Sequence, residues 1–417
     1  MNLEIDETRL TSEIDALALF SDAEAPAVTR VVFSEQDRKA RAWLKERCRE
    51  AGLNIREDAV GNTFARWEGS KPELPAVATG SHIDAIPHAG KYDGVVGVLG
   101  GLEAIRALQR RGFQPRRSIE LVIFTSEEPT RFGIGCLGSR LLSGVLASDV
   151  AAALRDAEEN TLEMIRLHAG FTGPLDRIRL QSGAYSAFVE LHIEQGPILE
   201  QEQIALGLVT SIAAPASFRI SIDGEGGHAG GRLMPRRRDA LCAAAEIILA
   251  VEDAALTSGA IDTVATVGIC VVHPGAINSI PSRVQLGIDL RDTDAARRDI
   301  AQSKIELVSQ KVAERREVSV MMETINSDPP AQSSPEILAA LTEACEKEGC
   351  RFRTMVSRAY HDSLFMSRIA PVAMLFIPCR GGVSHRPDEY SSPEEIARGV
   401  RVLARTVAIL AHGESQS

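Results

Sequence analysis

The sequence predicts an α/β fold in which a mixed, mostly parallel sheet flanked by helices is interrupted by a smaller α+β unit. Three observations predict it. Short apolar runs alternate with helical patterns up to about residue 210 and again from about 334. Between them the order becomes strand, helix, strand, strand, helix, strand, the ferredoxin-like arrangement, whose ends lie close together and suit an insertion. Four of the apolar runs also end on imidazoles or carboxylates, at the carboxyl ends of strands, where open α/β sheets bind ligands. The chain thus divides into residues 1–210 with 329–417, and an inserted 211–328.

In order along the chain, Leu10, Ile14 and Leu17 share one helical face. A helix over 36–51 starts at Ser34-Glu35-Gln36-Asp37, a capping-box pattern, and stops at Gly52. Residues 55–67 read as a hairpin around Gly61-Asn62. The run 74–79 leads into Gly80-Ser81-His82-Ile83-Asp84. Lys91-Tyr92-Asp93-Gly94 then opens a helix with Val98, Leu102 and Ile105 on its apolar face, and by position alone Asp93 is an N-cap. The run 119–124 delivers Glu127-Glu128, and 187–191 delivers His192-Ile193-Glu194-Gln195-Gly196. In the insertion, strands at 217–223, 263–272, 283–291 and 318–324 accompany helices over 239–256 and 295–313. A helix over 337–348, a strand over 372–377 running through a glycine loop to Ser384-His385, and a helix capped by Ser392-Pro393-Glu394-Glu395 complete the chain.

Composition narrows the function. With 46 basic against 57 acidic side chains, the net charge of -11 opposes nucleic acid and anionic membrane as partners, since both need a basic footprint. No apolar run approaches the ~20 residues of a membrane helix, and the acidic start Met1-Asn2-Leu3-Glu4-Ile5-Asp6-Glu7 lacks the pattern of a signal peptide. Seven cysteines without a Cys-x-x-Cys pair read as reduced thiols, so a cytoplasmic protein is expected.

An isolated Glu-Glu is usually a solvated loop, and a single histidine is more often packed than ligating. Shared placement after strands changes those odds for His82, Asp93, Glu128, His192 and His385, with Glu127 beside a ligand as the candidate base. Mixed imidazole and carboxylate donors suit zinc, manganese, cobalt or nickel, and a carboxylate can bridge two ions. Two ions ~3.5–4 Å apart polarise a carbonyl and make water a better acid, provided a base takes the proton.

These residues resemble a known family. His82-x-Asp84, Tyr92-Asp93-Gly94, Glu127-Glu128, His192-Ile193-Glu194-Gln195-Gly196-Pro197 and Ser384-His385 look like the dinuclear M20 metallohydrolases, in their amidase/carbamoylase branch. Gly226-Gly227-His228-Ala229-Gly230, Leu233-Met234-Pro235 and Arg358-Ala359-Tyr360-His361-Asp362 look most like the branch's ureidoglycolate amidohydrolases, and depart from the usual carbamoylase segments.

The resemblance implies roles. His82 and His192 would hold one ion, Glu128 and His385 the other, and Asp93 would bridge them, with manganese favoured. Asp84 would orient His82. Glu127 would take a proton from the attacking water and pass it to the leaving nitrogen. His228 would come from a partner subunit to stabilise the oxyanion, so the inserted unit would serve dimerisation and closure in a homodimer. Arg291 and Asn278 would anchor a small anionic ureido substrate, whose carboxylate suits a guanidinium fork, and Gln195, Tyr360 and His361 match pocket positions. The expected reaction is cleavage of a ureido C–N bond, with ureidoglycolate favoured and allantoate or an N-carbamoyl-L-amino acid next. More distant alternatives are a dinuclear aminopeptidase or deacylase, and a binding protein that has lost its site.

Overall fold

The computed structural model describes residues 3–412. By internal contact the chain forms two compact units, Met1–Thr210 with Gln332–Met355 and His361–Ser417, and Ser211–Ala331 with Val356–Tyr360.

The first unit is organised by four strands that run parallel, in the spatial order Val372–Ile377, Tyr185–Ile193, Ala76–His82, Ile119–Phe124. Antiparallel neighbours flank these four in a nine-stranded sheet, with Leu206–Ile212 beside the first, Thr63–Trp67 beside the last and Asn54–Glu57 beyond it. The mixed, mostly parallel sheet expected from the apolar runs is therefore present. All residues of Ala76–His82, Ile119–Phe124 and Val372–Ile377 are buried, because helices cover both faces of a parallel sheet. One face packs Leu99, Leu102 and Ile105 of the helix Val95–Arg110 with Val400, Leu403 and Val407 of Pro393–His412. The other packs Phe64, Phe124 and Phe188 against Leu137, Leu141 and Met366. Strands approach so closely that a Cβ on Gly80 would lie 1.8 Å from the Val122 carbonyl oxygen.

Local signals explain the ends. Ser34 accepts from Asp37 N at the start of Glu35–Glu50, and Ser392 and Glu395 cap each other reciprocally before Pro393–His412. The strand expected over 74–79 runs instead as Ala76–His82, so His82 sits on the strand itself rather than in the following loop. No helix among the described residues is long and apolar enough to cross a membrane, and all seven cysteines are free.

The second unit is an antiparallel sheet in the order Val264–His273, Arg283–Asp292, Ala214–Asp223, Ser319–Ser327. Helices Ala240–Leu256 and Ala295–Arg316 cover one face around Phe218, Ile220, Ile247, Leu286 and Ile305. The elements follow the ferredoxin-like order. The unit runs to Ala331 where the sequence expectation ended it at 328, and one further segment differs: Val356–Tyr360 clusters with this unit and not with its chain neighbours. It is tied by Ala213 N to the Ser357 carbonyl, by Arg358 to Asp262, and by the Tyr360 hydroxyl donating to Asp328. Such a short return carries no periodicity that a sequence could reveal.

Candidate metal centre

The four parallel strands end on one side of the sheet, and their ends meet. His82 closes Ala76–His82, His192 lies at the end of Tyr185–Ile193, Glu127 and Glu128 follow Phe124, and His385 follows the loop after Ile377. Asp93 stands at their centre. Its Oδ1 is 3.0 Å from His192 Nε2 and 3.7 Å from His82 Nε2, and its Oδ2 is 3.1 Å from His385 Nε2. His385 Nε2 is also 3.1 Å from Glu128 Oε1. The candidate ligands thus form two groups sharing Asp93, one of His82, Asp93 and His192, the other of Asp93, Glu128 and His385. Within each, the donor atoms lie within 4.8 Å of one another. Asp93 does not cap the helix Val95–Arg110, which has no side-chain cap; its carboxylate faces the imidazoles. Gly94 permits this, since its φ is +66° and a Cβ would lie 2.5 Å from His82 Nε2.

The electrostatics follow from burial. Only His385 of this set is exposed; His82, Asp93, Glu127, Glu128 and His192 are buried. Burial alone would raise the Asp93 carboxyl, but hydrogen bonds from His192, His385 and His82 hold it well below the usual carboxylate range. The His385 imidazole is pushed up to about 10 by its hydrogen bonds to Asp93 and Glu128. Burial pushes Glu127 well up against the opposing pull of His82, and Glu128, Asp362 and Asp84 add to the rise. Carboxylates are gathered here out of water, where charge needs compensation. The donor set, three imidazole nitrogens and two ligand carboxylates, is compatible with divalent metal binding.

A third group, Glu190, His192 and His361, also lies within 4.8 Å. Within it Glu190 reads as hydrogen-bonded scaffold, because it accepts from Ser81 Oγ at 2.7 Å on one oxygen and from Ser363 N and Oγ on the other. His361, expected in the substrate pocket, is buried with its ring edge-on to His192 at 4.6 Å. Asp84, expected to orient His82, meets its Nδ1 through the main-chain carbonyl at 3.1 Å, with carboxylate Oδ1 3.7 Å away. The carboxylate accepts from the N–H groups of Glu127 and Glu128, at 3.2 and 3.0 Å, and so holds both acids in place. Gln195 donates to Asp93 Oδ2 at 2.8 Å, leaving its buried Oε1 without a protein partner. Ser126, Gln195 and His385 all have positive φ, near +56° to +59°. Such backbone is costly for residues with side chains and clusters at functional sites.

Sequence reasoning missed several contributors. Glu389 is buried and accepts from the N–H groups of Tyr92 and Asp93 and from Ser384 Oγ, while Ser384 Oγ also lies 2.9 Å from Asp93 Oδ2. Burial raises the Glu389 carboxyl to about 7, with Asp93 adding to it. Cys136 places its thiol 3.3 Å from Glu127 Oε1. Both are single residues in loops, and no spacing marks them.

The remaining expected residues belong to the second unit. His228 is exposed on the two-residue strand Gly227–His228, opposite Ser279, and Ala229 N donates to the Asn278 carbonyl, so His228 and Asn278 lie side by side. Arg291 is paired with Asp289 at 2.6 Å and donates to the Arg358 carbonyl, with its guanidinium 6.0 Å from the Tyr360 ring centroid. Tyr360 in turn accepts from Asn326 at 3.0 Å.

Residues 78–409 match peptidase family M20/M25/M40. The chain belongs to the M20 family. Among M20 relatives, it is 53% identical over 418 residues to a ureidoglycolate hydrolase of Arabidopsis thaliana, covering 98% of this chain and 87% of that one. An N-carbamoyl-L-amino acid amidohydrolase of Geobacillus stearothermophilus is 38% identical, over 98% of this chain and 100% of that one. The crystal structure of AtUAH in complex with (S)-hydroxyglycine superposes with a TM-score of 0.89 at 52% identity, covering 98% of both chains. The chain is a hydrolase acting on C–N bonds.

Proposed function

We propose that this chain hydrolyses ureidoglycolate to glyoxylate, carbon dioxide and two molecules of ammonia. The observation that carries the reading is the central carboxylate Asp93, shared by two donor groups with the buried Glu127 beside them, in a chain 53% identical to a ureidoglycolate hydrolase. His82, Asp93 and His192 would hold one divalent ion and Asp93, Glu128 and His385 a second, manganese being favoured and zinc, cobalt or nickel compatible by donor type. Such ions supply Lewis acidity to the ureido carbonyl and make water a stronger acid.

The protein's own groups do the rest. Glu127, whose proton affinity burial raises, accepts the proton of the attacking water and delivers it to the leaving nitrogen. Arg291 and Asn278 bind the substrate carboxylate, and Gln195, Tyr360 and His361 fix its polar groups. His228, exposed on its short strand, donates to the developing oxyanion in the neighbouring subunit of a homodimer joined through the second unit. The free thiols support a cytoplasmic setting.

The test is ammonia release by manganese-loaded protein against ureidoglycolate, allantoate, N-carbamoyl-L-amino acids and β-ureidopropionate, compared as kcat/KM because that ratio carries discrimination. Preference for ureidoglycolate is the expected result. A higher kcat/KM for an N-carbamoyl-L-amino acid would move the assignment to that neighbouring activity. No turnover of any ureido acid with metal bound would overturn the reading.

A further inference from the structure

If Glu127 moves the proton, whatever holds its carboxylate controls the step. Two segments meet there. Thr125-Ser126-Glu127 leaves the strand Ile119–Phe124, and Cys136-Leu137-Gly138 runs back against it. The N–H groups of Cys136, Leu137 and Gly138 donate to the carbonyls of Glu127, Ser126 and Thr125 at 2.7, 2.9 and 2.8 Å. Cys136 has a φ of +55°, left-handed backbone that a side-chain-bearing residue adopts at a cost. In that conformation its fully buried thiol lies 3.3 Å from Glu127 Oε1. The other carboxylate oxygen, Oε2, lies 3.7 Å from His82 Nε2.

We propose that Cys136 is a positioning residue: its thiol donates a hydrogen bond to Oε1 of Glu127 and fixes the carboxylate with Oε2 turned toward the imidazole cluster. The inference rests on Glu127 being the base of the proposed reaction. A thiol suits the task because it is a weak donor. A guanidinium or ammonium at the same place would hold the carboxylate as firmly but would stabilise its charged form and weaken it as a base. The thiol restricts orientation, on which proton transfer depends, with little loss of basicity.

Packing alone makes the opposite prediction. A buried thiol that only fills space behaves as a small hydrophobe, so alanine would be tolerated at least as well as serine. A donor role reverses the order, because serine keeps a hydrogen to give. The experiment compares Cys136→Ala and Cys136→Ser in the full, metal-loaded chain by kcat, KM, bound metal and thermal midpoint. It adds the infrared S–H stretch of the wild type, isolated by difference against Cys136→Ser.

The expected result for Cys136→Ala is a fall in kcat of about 10–100-fold, the usual range for residues that orient a site, with KM and bound metal unchanged. Cys136→Ser recovers most of the rate. The S–H band lies below the free-thiol position and moves in Glu127→Gln. Alanine equal to or better than serine in kcat, or a band at the free-thiol position that Glu127→Gln leaves in place, would overturn the proposal. The band decides the matter even where Cys136→Ala does not fold. A wild type that turns over no ureido acid would defeat the proposed function instead, and the band would still report on the hydrogen bond.

Discussion

The two units present their candidate functional residues in opposite ways. In the first, five of the six central residues are buried at the ends of a sheet closed on both faces, and each of the five is fixed by further hydrogen bonds, accepted by Asp84, Glu389 or a main-chain carbonyl or donated by Ser384. In the second, His228 and Asn278 are exposed on short paired segments, and the hydrogen bond of the His228 ring is to Gly230 N. Arg291 and Tyr360 are half-buried and engaged with their own unit. Ions and a proton-transferring base need geometry fixed before substrate arrives. Groups that meet a substrate only once it is bound need exposure more than rigidity. Under the proposed function, the first unit would hold the preorganised centre and the second the groups that meet substrate.

Substitutions can sharpen or break that contrast, and the largest effect belongs to the first unit. Glu127→Gln is expected to lower kcat by about 10²–10⁴-fold, the range for a lost general base, while metal content and KM stay near wild type. Loss of bound metal in that variant would show Glu127 to be a ligand instead. His228→Ala is expected to lower kcat by about 10²–10³-fold, as for a lost oxyanion donor. Because His228 is exposed, its thermal midpoint should not move, and mixing the inactive Glu127→Gln and His228→Ala proteins should restore activity if the histidine acts across subunits. Absence of such complementation would confine His228 to its own chain.

Arg291→Lys is expected to raise KM about tenfold or more, since one lysine point charge replaces a two-pronged donor, with a smaller change in kcat. A kcat loss at constant KM would count against a binding role. The smallest effect is Gly268→Ala in the exposed edge strand of the second unit, where a Cβ would meet nothing within 4 Å. Denaturant unfolding should place it within about 0.5 kcal/mol of wild type.

Much of the first unit was legible because its signals are local and repeated. A fully buried parallel strand reads as a continuous apolar run, and four such runs each gave way to an imidazole or carboxylate, so the assembly of His82, His192, Glu128 and His385 at one place could be read from the chain. The ferredoxin-like order was legible for a similar reason, since Arg283–Asp292 alternates buried and less buried positions against two amphipathic helices. Asp93 was not legible by position, because a carboxylate before a helix looks the same whether it caps the helix or turns away. Here Gly94, with its positive φ, takes the cap position and frees it. Glu389 and Cys136 were invisible because their roles arise from loops that fold back, and Glu389 is indistinguishable by pattern from its exposed neighbour Asp388. Asp84 was legible as an organiser but not in its mode, since which of its oxygens meets His82 depends on the turn between them.

The most direct measurement is calorimetric titration of chelator-stripped protein with manganese, in the wild type, Asp93→Asn and His385→Ala. The shared-carboxylate arrangement predicts two ions per chain for the wild type, one for His385→Ala, and loss of tight binding at both sites for Asp93→Asn. A single ion in the wild type, or an Asp93→Asn protein that still binds two tightly, would contradict it.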